Sequence, residues 1–107
     1  MPEALSWPPK EVVAAILALV DTVVPDGESV WLTGSRVRGN AKSDSDWDVV
    51  AFSKSVSRAP SELFKSNHTS QHAILGGKIE LVIAHPDHWN DPRRYMTDLR
   101  QSGLRLR

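Results

Sequence analysis

Cysteine is absent from the 107 residues, which excludes a disulfide scaffold, a Cys-based zinc site and a thiol nucleophile. Net charge is absent too, because thirteen Lys and Arg offset thirteen Asp and Glu. A whole-molecule basic field of the kind that holds duplex nucleic acid non-specifically is therefore excluded. No long hydrophobic run is present: the longest, Val12–Val20, falls far short of the roughly 20 residues a membrane-spanning helix needs. No basic segment precedes that run, so a secretory signal is not expected. There is no internal repeat and no low-complexity linker. What remains is 40% hydrophobic and 24% charged, a globular balance able to remove roughly two-thirds of the unfolded surface from water. The expectation is a single cytoplasmic domain over residues 1–107.

Charge is unevenly spread although it sums to zero. Residues 1–28 carry Glu3, Glu11, Asp21, Asp26 and Glu28 against Lys10, while residues 93–107 carry Arg93, Arg94, Arg100, Arg105 and Arg107 against Asp98. The basic end suits a local anionic contact, phosphate or an acidic partner, or else a solvated helix surface.

Hydrophobic periodicity sets the elements. Pro8-Pro9 followed by KEVVAAILALVDTVV reads as a helix, with proline tolerated in its first turn and Glu11 where the dipole favours an anion. Val12, Ile16, Leu19 and Val23 form one row and Val13, Leu17, Val20 and Val24 the next, an apolar face wide enough to lie on a sheet. Glu28–Thr33 and Trp47–Phe52 read as strands, with Ser35–Arg38 a short helix between them. Ala59–Asn67 is a weaker helix, Gln71–Leu75 a strand, Gly76-Gly77 a hairpin turn and Lys78–Ala84 a strand. Asp91-Pro92 opens a last helix with Tyr95, Met96 and Leu99 as its buried stripe and Gly103 as its C-cap. The expected class is α+β, a small mixed β-sheet with helices packed on it.

Chemistry concentrates in residues 32–50. Gly34-Ser35 follows a strand at a helix start, where glycine lets an anion approach the backbone and Ser35 adds a hydroxyl. Arg36 and Arg38 bring cations to the same turn. Asp46 and Asp48 are two apart at a strand start, so period-2 alternation puts both carboxylates on one face and Trp47 on the other. Carboxylates this close repel unless a cation sits between them, and hard divalent ions with oxygen ligands suit them. The alternative is an acidic loop–strand junction. Glu80 stands in an otherwise apolar strand, which is costly unless it meets a cation, faces water at a sheet edge or pairs with an arginine.

Taken together, Gly34-Ser35, ten intervening residues and Asp46-x-Asp48 resemble the signature of the minimal nucleotidyltransferases of the polymerase-beta-like superfamily. The flanks agree: an apolar strand into Gly-Ser, Arg38-Gly39, Ser45 before the first Asp, and apolar residues after the second. Glu80 matches the family's third carboxylate, where Asp is commoner, and Asp98–Gly103 resembles its helix-then-glycine ending. The resemblance covers about residues 10–104 and implies the polymerase-beta-like palm fold. It implies attack of a hydroxyl on the α-phosphate of ATP or another nucleoside triphosphate, with two Mg²⁺ ions held by Asp46, Asp48 and Glu80. Gly34 and Ser35 would seat the outer phosphates, with Arg36 and Arg38 as charge stabilisers or partners of Asp44.

Minimal members are often antitoxins that modify a HEPN-family ribonuclease toxin, so the resemblance also implies a tyrosine of such a partner as acceptor. The 107 residues hold no extra helical domain, so acceptor specificity is expected from a partner or a second copy, as a homo- or hetero-oligomer. Two rivals stand beside this reading: a catalytically silent partner-binding antitoxin module, and an enzyme acting on an aminoglycoside-like small molecule. His68/His72 and His85/His88 have metal-compatible spacings without a confident helix, and read as polar surface residues. Trp7, Trp31 and Trp89 could stack a base, but Trp31 reads as core and Trp89 as loop, while Tyr95 and Met96 read as core.

Overall fold

The computed structural model describes residues 8–24, 28–39, 41–42, 45–59 and 77–107, together with the backbone of 67–74. Helix α1 (Lys10–Val23) begins after Pro9 and carries Glu11 in its first turn. The strands are β1 (Ser29–Thr33), β2 (Trp47–Phe52), β3 (Asn67–Ile74), β4 (Gly77–Ala84) and β5 (Leu104–Arg105), with the short helix α2 (Ser35–Arg38) after β1. A 3₁₀ helix (Pro86–Asn90) leads into α3 (Arg94–Ser102).

Among the described residues the strands form one sheet in the order β3-β4-β2-β1-β5. β2 and β4 run parallel, and the other neighbouring pairs are antiparallel, so the sheet is mixed as the sequence implies. Both faces of the central strands are covered, which is why Trp47–Phe52 and Ile79–Ala84 are nearly continuous apolar runs. On one face Val12, Ile16 and Val20 of α1, with Val24 just after it, meet Val30, Leu32, Trp47, Val49, Ala51, Ile79, Leu81 and Ile83. On the other, Met96 and Leu99 of α3 cover Val50, Phe52, Val82 and Ala84, flanked by Trp31, Trp89 and Tyr95.

Period-2 parity decides which polar groups share the α3 face. Asp48 precedes Val50 and Phe52 there, and Glu80 precedes Val82 and Ala84. Leu99 also dictates Gly103. The glycine caps α3 with its N–H on the Leu99 carbonyl, and an added Cβ would come within 2.5 Å of that oxygen. Its φ of −65° is ordinary, so space rather than left-handed backbone selects glycine here.

Several sequence expectations shift. The helix expected over 59–67 falls largely on residues outside the described set, and Asn67 belongs to β3, which starts four residues before the expected Gln71. Of the Gly76-Gly77 turn, Gly76 lies outside the described residues and Gly77 opens β4, directly paired with Ile74. α3 begins at Arg94, because the Asp91 side chain first accepts the Arg93 N–H at 2.9 Å. No helix among the described residues is long and apolar enough to cross a membrane.

Most arginines of the basic end have partners within the chain. Arg93 pairs with Asp91, Arg94 with Asp98 and Arg107 with Asp21. Arg100 donates to the Trp89 and Asp91 carbonyls. Arg100 and Arg107 therefore tie α3 and the C-terminus to the rest of the fold, while Arg93 and Arg94 pair with near neighbours in sequence.

Candidate active site

The antiparallel register of β1 on β2 pairs Thr33 with Asp48, and the parallel register of β2 on β4 pairs Asp48 with Glu80. Asp48 and Glu80 are thus nearest neighbours across two strands, on one face. Gly34 follows Thr33 with φ +84° and ψ −160°, backbone that an L side chain rarely adopts. The turn swings its Cα against Asp48, where an added Cβ would overlap the carboxylate oxygen and lie 3.1 Å from Cγ. The glycine of the motif and its second aspartate are therefore one packed unit. Ser35 opens α2, and Asp46 stands exposed just ahead of β2.

Electrostatics mark Asp48. Burial pushes its carboxyl up from the ordinary 3.8 to about 6, the Glu80 and Asp46 charges push the same way, and Arg38 opposes them. Its cavity, of about 180 Å³, is lined by Thr33, Gly34, Arg38, Asp48, Tyr95 and Asp98. Tyr95 was expected in the core with Met96. It is only half-buried, and its phenol pKa is pushed up by burial and by the Asp48 and Glu80 charges. Helical spacing of 100° per residue explains the correction, since Tyr95 stands one position off the Met96–Leu99 stripe.

Arg36 and Arg38 part company. Arg38 is exposed and reaches the cavity. Arg36 turns away: Nε and Nη2 donate to the Ser45 carbonyl at 3.2 and 2.7 Å, and the guanidinium lies 4.3 Å over the Trp47 ring. Ser45 is further held by Lys42, whose N–H donates to its hydroxyl at 2.8 Å. Gly77 packs on the same carbonyl, and any Cβ there would overlap it. Arg36, Ser45 and Gly77 together fix the approach to Asp46. Arg36→Lys keeps the charge but loses the two-pronged bond. It is expected to lower the thermal midpoint by a few degrees, about 1 kcal/mol, in a melting experiment.

The remaining candidates have structural employment. His85 Nδ1 accepts the Asp87 N–H, and the His85 N–H donates to His88 Nδ1, so the pair caps the 3₁₀ helix. The side chains of His68 and His72 lie outside the described set, as does Trp7. Trp31 and Trp89 pack at 5.0 Å between centroids and, with Phe52, line a separate aromatic cavity of about 230 Å³ at the other end of this sheet face.

Among the described residues no group of three acidic or histidine side chains closes into a metal shell. The donor set nevertheless fits Mg²⁺, which is held through one or two carboxylates and completed by substrate phosphates. Asp48 and Glu80 could supply that pair, and the carboxylate repulsion that adds to burial in raising the Asp48 pKa is what a divalent cation would relieve.

Among curated proteins none matches the chain. The family model described as a nucleotidyltransferase domain matches residues 13–99. That span runs from α1 through every site residue to the end of the α3 stripe, and the chain belongs to the nucleotidyltransferase domain family.

Proposed function

We propose that this chain is a single minimal, Mg²⁺-dependent nucleotidyltransferase that moves a nucleoside monophosphate, most simply AMP from ATP, onto a hydroxyl. The observation that carries the reading is Asp48, packed directly against the Gly34 turn and paired in register with Glu80. Asp46, Asp48 and Glu80 would hold the metal ions, Asp46 from the exposed rim ahead of β2. Bound there, two Mg²⁺ ions would polarise the α-phosphate and neutralise charge on the attacking and leaving oxygens. The chain's own groups do the rest. Gly34 and Ser35 admit the outer phosphates to the backbone, and Arg38 offsets their charge. The acceptor oxygen bonds to the α-phosphorus as the bond to the bridging oxygen breaks, pyrophosphate departs, and Glu80 takes the hydroxyl proton.

The acceptor belongs to this proposal as well: a hydroxyl on a partner, with a tyrosine of a HEPN-type toxin the leading choice and a second copy of this chain another. A partner of that kind and a free triphosphate donor place the reaction in the cytoplasm. Incubation with α-labelled nucleoside triphosphates, Mg²⁺ and the candidate partner tests it. Label is expected on the partner with wild type and at background with Asp46→Asn/Asp48→Asn. Transfer by the folded double variant would sink the assignment. A double variant that still neutralises the partner, beside a wild type that never labels it, would favour the silent binding module. Label on an aminoglycoside instead would move the acceptor to a small molecule.

A further inference from the structure

The cavity over Asp48 has two walls of unlike chemistry. One is Thr33, Gly34 and Arg38 from β1 and α2, a cation and a glycine turn that suit phosphate. The other comes from α3, where Tyr95 and Asp98 are three residues apart and so on one helix face. A phenol is protonated at neutral pH and can donate, and a carboxylate only accepts. Asp98 is over a third exposed, and its ion pair is loose: Arg94 Nε lies 3.8 Å away on a side chain 92% exposed. A carboxylate offers about four acceptor sites, so capacity remains. That wall repels a phosphate and welcomes a group that both accepts from Tyr95 and donates to Asp98, which is the chemistry of a sugar hydroxyl pair. At about 180 Å³ the cavity is smaller than the roughly 300–1,000 Å³ that encloses a whole drug-sized ligand, so it takes part of a nucleotide.

We propose that Tyr95 and Asp98 bind the ribose hydroxyls of the nucleoside triphosphate and so set a preference for ribo- over deoxyribonucleotides. The inference rests on the nucleotide-binding reading above and extends it to α3, whose Tyr95 reads as core in the sequence.

Calorimetric titration in Mg²⁺ tests it, with the four ribonucleoside triphosphates and their 2′-deoxy and 3′-deoxy counterparts. Wild type, Tyr95→Phe and Asp98→Ala are compared, each shown by its melting curve to be folded. Wild type should bind at least one ribonucleotide on the order of tenfold more tightly than one of its deoxy counterparts. For the hydroxyl each residue holds, its variant should lose about that factor for the ribonucleotide and none for the form lacking that hydroxyl, so that discrimination at that position disappears. Equal affinity of wild type for ribo and both deoxy forms would overturn the inference and leave nucleotide binding standing. Uniform weakening of all three forms in the variants would reduce the two residues to a structural role, which also overturns it. Silence from every nucleotide in folded wild type would remove the nucleotide-binding reading, and this inference with it.

Discussion

Asp48→Asn is expected to raise the stability of the metal-free protein at neutral pH while eliminating nucleotidyl transfer. The Asp48 carboxyl titrates at about 6 in the fold against an ordinary 3.8. Between roughly pH 4 and 6 the native chain therefore holds a proton that the unfolded chain has released. Stability falls as pH rises through that window and stays level above it. A shift of this size is worth about 3 kcal/mol at most, and about 1–2 kcal/mol once screening at a half-buried group is allowed for. Asparagine keeps the shape and removes the charge, so in EDTA at pH 8 the variant should melt about 4–10 °C higher. Near pH 4 the gain should vanish. Stabilised and inactive together are the signature of a residue kept for its chemistry. A variant that melts with wild type at pH 8, or that still transfers, contradicts the role given to Asp48.

The second large effect is expected from Gly34→Ala, with Gly39→Ala as its control. Both glycines have positive φ, +84° and +82°, so alanine is strained at either. Only at Gly34 does a Cβ meet something, the Asp48 carboxylate; at Gly39 nothing lies within 4 Å. Gly39→Ala should lose about 1 kcal/mol and keep Mg²⁺-dependent nucleotide binding. Gly34→Ala should lose about 2–4 kcal/mol, a drop of about 10–20 °C, and lose nucleotide binding because Asp48 is displaced. If both variants bind nucleotide alike, the contact between Gly34 and Asp48 is not what shapes the site.

What could be read beforehand followed from repeating patterns. The 3.6-residue rows of α1 and the apolar runs of β2 and β4 marked the core, whereas the β2–β4 register that sets Glu80 beside Asp48 is a pairing between strands. The 3₁₀ helix carries no apolar period. β5 is two residues long and exists through its pairing with Trp31 and Leu32. Neither leaves a local signal. Arg36 and Arg38 are alike in sequence, and only the positions of Ser45 and Trp47 decide that one braces the loop while the other faces the cavity. Tyr95 carried a usable hint. It is a polar-tipped aromatic one position off an apolar stripe, where a hydroxyl is more at home beside a site than inside a core. His85 and His88 read as polar surface residues, yet they close a capping pair in which His88 is buried.

The central claim is that the Gly34 turn, Asp46, Asp48 and Glu80 make a metal-dependent donor site. Calorimetric binding of ATP, CTP, GTP and UTP, with and without Mg²⁺, tests it most directly because it needs no acceptor. At least one nucleotide should bind, in a manner that requires Mg²⁺ and disappears in Asp46→Asn/Asp48→Asn. Silence from all four with folded wild type, or binding that survives without both Mg²⁺ and the carboxylates, would contradict it.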